Sequence, residues 1–227
     1  MADASEEIAI DGATADELRR DESFWMLYRD TFESREREPE DVILRSLIAG
    51  GGIVLRARVS GRTVGLATGQ VLHAPAATFL VYLAVHPDWR SKRLGRALFD
   101  AADEAGSARL RAAGATPRGT VWEIDDPDAD VDPGERQRRL KRLRFFERLG
   151  GRRLDVSYVQ PPVDGHSLVP MRLMFRSAAG HAIAPADAAD AITREDAVAL
   201  ARAIYLEKYH EINGIPMDTL APLTSHL

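Results

Sequence analysis

The apolar pattern of this chain changes period within a few residues of Pro87, and that change constrains the fold more than any other feature. From Thr78 to Val85 the run TFLVYLAV reads as a buried strand. A basic turn, Arg90-Ser91-Lys92-Arg93, follows Pro87. From Leu94 the spacing of Leu94, Leu98, Ala101, Ala105 and Ala108 is helical, to about Gly114. A strand passing through a tight turn into a helix requires a sheet with that helix packed on it. The turn points several backbone N–H groups one way, and the helix start adds partial positive charge, so together they suit a diphosphate. Gly95 is expected to let the backbone approach such a ligand closely. Arg90, Lys92, Arg93 and Arg96 add charge-assisted contacts. Basic side chains at a helix N-terminus oppose its dipole, which favours an anion site over a merely solvated face.

The flanking segments extend this pattern into a mixed sheet. Leu18, Phe24, Trp25, Leu27, Tyr28 and Phe32 recur at helical spacing over 15–33, and Val42, Ile43, Leu47 and Ile48 repeat it after Pro39. IVLRARV and TVGLATGQVL, joined at Ser60-Gly61-Arg62, read as a hairpin. Beyond the central helix come a strand over Gly119–Ile124, the acidic loop DDPDADVDPGE, the basic helix RQRRLKRLRFFERLGG, and two strands over Leu154–Val159 and Leu168–Phe175. Thr193 and Asp196 form a capping box for a last helix to about His210, stopped at Asn213-Gly214. The order predicts an α/β (α+β) domain over 1–177, with a central mixed, mostly antiparallel sheet flanked by helices, and a C-terminal helical extension over 178–227. The apolar side of the last helix needs cover from the domain or from a second subunit, which leaves a homodimer open.

Composition narrows the chemistry. The 227 residues contain no cysteine, which removes disulfides, thiolate zinc sites and cysteine nucleophiles. The six histidines are scattered without metal-ligand spacing, so no metal is expected. A net charge of -5 argues against a nucleic-acid partner, and the basic helix lacks interleaved exposed aromatics. With an acidic N-terminus and no long uncharged run, no membrane partner is expected and the location reads as cytoplasmic.

Val85, Pro87, Arg90, Gly95, Ala97 and Leu98 match V-x-P-x-x-R-x-x-G-x-G-x-A followed by leucine, so the segment resembles the acetyl-CoA pyrophosphate loop of the GNAT superfamily. Arg93 departs from it, standing where the first glycine is expected. The resemblance covers about 53–175, and FFERLGG is similar to the family's F-Y-E-x-x-G-F. It implies an N-acetyltransferase that moves an acetyl or other short acyl group from acetyl-CoA, as cosubstrate, directly to an amine acceptor.

Carried onto this sequence, the resemblance implies an acetyl-CoA site of Leu83, Val85, Arg90, Ser91, Lys92, Arg93, Leu94, Gly95, Arg96, Ala97 and Phe146. The pantetheine arm would lie where the strand Thr78–Val85 splays from the next, with a backbone N–H polarising the thioester carbonyl. Phe146 occupies the place of the tyrosine that in many relatives protonates the thiolate, and it has no proton to give. Glu123, across the splay, is the first candidate for general base or ammonium-binding group. Tyr158 and Tyr82 are candidate acids. The missing tyrosine keeps a second expectation open, a catalytically silent acyl-CoA-binding module. A nucleotide-phosphate site fits less well, because the turn lacks a P-loop's Gly-Lys-Ser/Thr end.

Overall fold

In a computed structural model the period change becomes a strand ending at Val85, a 3₁₀ turn over Pro87–Trp89, and a long helix from Leu94. The structure describes residues 7–90, 92–129, 131–178 and 192–227. Their strands are β1 (Ala9–Gly12), β2 (Gly52–Val59), β3 (Arg62–Leu72), β4 (Ala77–Val85), β5 (Gly119–Asp125), β6 (Arg152–Arg153), β7 (Tyr158–Gln160) and β8 (Val169–Ser177). The helices are α1 (Ala15–Arg19), α2 (Glu22–Thr31), α3 (Glu40–Ile48), α4 (Leu94–Ala112), α5 (Pro133–Arg148), α6 (Arg194–Ala203) and α7 (Met217–Ser225). A π-helical segment, Ile204–His210, continues α6.

The described strands form one eight-stranded sheet in the order β1-β2-β3-β4-β5-β8-β6, with β7 also on β8. Its pairings are antiparallel except β4 with β5, so the expected mixed, mostly antiparallel sheet is present. Parallel pairing there follows from the crossover through α4.

Each face of the sheet has its own core. Leu94, Leu98, Phe99 and Ala102 of α4 and Leu143 and Phe146 of α5 pack on Leu80, Trp122 and Met174. On the opposite face, Leu18, Phe24, Trp25, Tyr28 and Ile43 cover Val54, Leu66 and Tyr82. Beside them, Leu200, Ile204, Tyr205 and Tyr209 cover Phe79, Val121, Tyr158 and Leu173. The last helix therefore finds its cover on this chain's own sheet. Val81 packs against both clusters and marks the line between them.

Several local expectations shift. The buried face of α4 runs through Leu98, Phe99, Ala102, Gly106 and Leu110, one step round from Ala101, Ala105 and Ala108, because Phe99 is drawn under Trp122. The strand expected over Leu154–Val159 does not form as one, since β6 ends before it at Arg153 and β7 begins only at Tyr158. Arg153 pairs with Met174 and Tyr158 with Met171, so four intervening residues oppose two, and the excess loops out while Leu154 and Val156 enter the core. The edge strand β1 and the final helix α7 have too little apolar periodicity to be read from the sequence. Thr193 and Asp196 do form the capping box, and Gly214 adopts a left-handed φ of 77° past the helix end.

Candidate active site

The site begins with a bulge. Thr68 pairs with Tyr82 and Gly69 with Leu80, leaving Val81 unopposed on β3. The extra residue bends β4 and resets its alternation, so Phe79 and Tyr82 share one face while Leu80 and Leu83 share the other. Among the described residues, β4 and β5 pair over Thr78–Leu80 and Thr120–Trp122 only. Beyond that point β4 stays with β3 as far as Val85, and β5 stays with β8 as far as Asp125. The result is a splay whose sides carry Leu83 and Val85 on one strand and Glu123 on the other.

The basic turn closes one end of this splay. Arg93 adopts φ 60° and ψ 9° and caps α4 without a side-chain hydrogen bond, so the first amides of the helix keep their donors free of a side-chain cap. Arginine here holds the left-handed geometry for which the matching motif uses glycine. Arg90 Nε donates to Val85 O at 3.2 Å, Lys92 lies over the Trp89 ring at 4.1 Å, and Arg96 pairs with Asp100 at 3.5 Å. A Cβ at Gly95 would meet Phe145 at 3.3 Å and Val85 at 3.8 Å, so its smallness serves the approach of α4 to α5 and β4. Leu94 is buried, and Ala97 N–H donates back to Arg93 O at 3.1 Å. Ser91 lies outside the described residues. Splay, free amides and basic rim together fit an anionic cosubstrate with a long flexible arm.

Glu123, the first residue of β5 past the paired segment, shares the face of Val121 with the C-terminal segment. Its Oε1 accepts from Tyr158 Oη at 2.5 Å and from Tyr209 Oη at 2.8 Å, and its Oε2 accepts from Gln160 Nε2 at 3.3 Å. Burial pushes the Glu123 carboxyl up to about 7, with help from the Glu38 charge and against the two tyrosine hydrogen bonds and Lys208. The Tyr158 and Tyr209 hydroxyls are themselves held well above the usual phenol range by burial and then by the neighbouring carboxylate. Glu123 and Tyr158, separate candidates in the sequence, thus touch.

Tyr82 stands on the other side of the splay. Its hydroxyl accepts from Glu38 N–H at 2.8 Å and donates to Glu36 O at 2.9 Å, while Tyr28 donates to Glu38 O at 2.9 Å. These bonds hold the 36–38 loop over the sheet. The Glu36 carboxyl is raised by burial and then by Asp125, so this loop faces β5 across the opening. Glu38 pairs with Lys208 at 2.7 Å, and Asn213 bridges the two, donating to Glu38 Oε1 at 2.8 Å and accepting from Lys208 at 2.9 Å. Phe146 is buried on the other face of the sheet, with its ring 5.0 Å from Trp122.

Sequence reasoning missed Gln160, Lys208 and Tyr209. A signal was available for the last, since Tyr205 and Tyr209 recur four residues apart on an apolar helix side. The acidic loop and basic helix meet as the charge pattern suggests, with Arg142 on Asp125 and Arg139 donating to Asp126 O at 3.0 Å. Among the described residues no group of His, Cys, Asp or Glu is arranged to hold a metal, and no helix is long and apolar enough to cross a membrane.

Residues 20–118 match the model of the acetyltransferase (GNAT) family. No curated protein sequence matches the chain. Among solved structures, a protein from Bacteroides thetaiotaomicron described as an acetyltransferase of the GNAT family superposes with TM-score 0.63 at 15% identity, over 92% of this chain and 99% of that one. Arabidopsis thaliana NAA60 in complex with acetyl-CoA gives 0.56 at 14%, over 77% and 100%. An aminoglycoside 6'-N-acetyltransferase complexed with coenzyme A gives 0.53 at 16%, over 74% and 96%. Residues 20–118 thus match the GNAT acetyltransferase family in sequence, and most of the chain shares the fold of these acetyltransferase structures.

Proposed function

We propose that the protein is an acetyl-CoA-dependent N-acetyltransferase in which Glu123 takes the proton of an amine acceptor. One observation carries the reading: a carboxylate whose burial raises it to about 7 stands at the opening between β4 and β5. A base poised near neutral pH can deprotonate an ammonium group and still be ionised often enough to act. Its Oε1 is filled by two tyrosine donors, whereas Oε2 accepts only Gln160 among the described residues. The acceptor's proton therefore passes from nitrogen to Oε2.

Acetyl-CoA supplies the acetyl thioester. Its arm lies along Leu83 and Val85, and its diphosphate on the amides and basic side chains of the turn from Arg90 through Ser91 and Lys92 to Ala97. The freed amine nitrogen bonds to the acetyl carbon as the carbon–sulfur bond breaks, and the second proton that the nitrogen then sheds passes through water to the departing thiolate. Phe146, packed under Trp122, offers no proton, so the thiolate is protonated by water. Tyr82 holds the 36–38 loop, which forms one wall for the acceptor, and Tyr158 holds Glu123.

Acetyl-CoA at a hundred times its Kd should add about 2.7 kcal/mol to unfolding stability, read as a thermal shift. Amine-dependent release of free CoA should then appear with at least one member of an amine panel. Glu123→Gln should keep the thermal shift and lower the rate by about 10²- to 10⁴-fold. Phe146 favours a second reading, an acyl-CoA-binding module without turnover, which predicts the shift and no CoA release with any amine. Absence of the shift would overturn both.

A further inference from the structure

Glu123 is faced from three elements: Tyr158 and Gln160 on β7, Tyr209 and Lys208 on the π-helical segment, and Glu38 on the loop before α3. β7 is held by its ladder to β8, but the presence of Tyr209 depends on chain nearly ninety positions away in sequence. In the segment Ile204–His210 the buried residues are Ile204, Tyr205, Lys208 and Tyr209, so adjacent Lys208 and Tyr209 both lie inside. Lys208 goes to Glu38, and Tyr209 goes to Glu123 Oε1, beside Tyr158. Tyr205, one turn earlier, stacks on Tyr158 with centroids 5.2 Å apart, but its hydroxyl donates to Val159 O at 2.8 Å.

We propose that Tyr209 is a positioning residue for Glu123, so that the C-terminal segment is a working part of the acyltransferase site. With Tyr158 it occupies both lone pairs of Oε1, which turns Oε2 toward the acceptor, and its O–H stabilises the ionised form of the carboxylate. This rests on the reading of Glu123 as the proton acceptor.

Tyr209→Phe removes one oxygen and leaves the ring in the core, and Tyr205→Phe is its control on the same segment. The full-length protein is titrated by infrared spectroscopy, with the Glu123 carboxyl band identified by its loss in Glu123→Gln. A hydrogen bond to a charged acceptor is worth about one to two pH units, so Tyr209→Phe should titrate higher by that amount and Tyr205→Phe should match the parent. The acid limb of kcat/KM should move by the same shift while KM for acetyl-CoA holds. An unchanged Glu123 titration in Tyr209→Phe, or an equal shift in Tyr205→Phe, overturns the assignment. A parent without turnover would overturn the proposed function instead, with the infrared comparison still deciding the role of Tyr209.

Discussion

Glu38 and Lys208 form an ion pair at 2.7 Å with their side chains only 1% and 3% exposed, and it joins the loop before α3 to the π-helical segment beside Glu123. Desolvating two charges costs about as much as their attraction returns, so the pair ranks as an architectural tie before a source of stability. Removing one partner strands the other. Glu38→Gln or Lys208→Met should therefore each cost about 3–5 kcal/mol in urea unfolding, while the double variant Glu38→Met/Lys208→Met should lose less than the sum. Simple addition of the two losses would show that the charges act independently.

Gly106 on α4 lies against β4 just before the splay. A Cβ there would come within 2.0 Å of Thr78 Oγ1 and 2.7 Å of Thr78 Cγ2, and Thr78 is fully buried on a strand held from both sides. Alanine improves helix propensity by about 1 kcal/mol, but the collision must push α4 off the sheet. Gly106→Ala should lower stability by about 1–3 kcal/mol in denaturant unfolding. A gain in stability would mean that α4 and β4 separate without strain.

The strand–turn–helix and the central hairpin were legible because each rests on local apolar periodicity or on a motif contained in a few residues, whereas the splay was implied by the family resemblance alone. What the sequence hid is nonlocal. The bulge at Val81 leaves no mark in an unbroken run of apolar residues, yet it decides that Phe79 and Tyr82 share a face. The contact of Glu123 with Tyr158 was half legible, since both residues stood out as candidates, but Tyr209 joins them only through packing of α6 on the sheet. The expected strand over 154–159 failed for the opposite reason. Its alternation is real, but two surplus residues against β8 break the ladder that alternation alone would build.

Arg93 holds φ 60° at the start of α4, a left-handed conformation that a Cβ makes unfavourable by about 1–2 kcal/mol. A β-branched side chain fits it least. Arg93→Val should be less stable than Arg93→Gly by at least about 1 kcal/mol in thermal or urea unfolding, although valine loses less chain entropy on folding than glycine. Acetyl-CoA should still bind Arg93→Gly, weakened only by the loss of one basic side chain at the rim, because the backbone amides are retained. Equal stability of the two variants would show that the turn relaxes out of the left-handed region.

Stability should depend on pH through Glu123. Burial, with the Glu38 charge, raises its carboxyl from 4.5 to about 7 against the hydrogen bonds from Tyr158 and Tyr209. Between those values the folded protein holds a proton that the unfolded chain has released, so stability falls as pH rises through this window. The contribution is fully present below about 4.5 and is lost above about 7. Glu123→Gln keeps an oxygen for the tyrosines, and its amide can donate to Gln160 Oε1, which is buried without a partner. The variant should therefore match the parent near pH 5 and exceed it by about 1–3 kcal/mol at pH 8. Urea unfolding of both proteins across that range measures the difference, in which every other titrating group cancels. Parallel pH curves would mean that Glu123 ionises in the folded state as it does in water, and a carboxylate so well solvated could not serve as the buried base of the site.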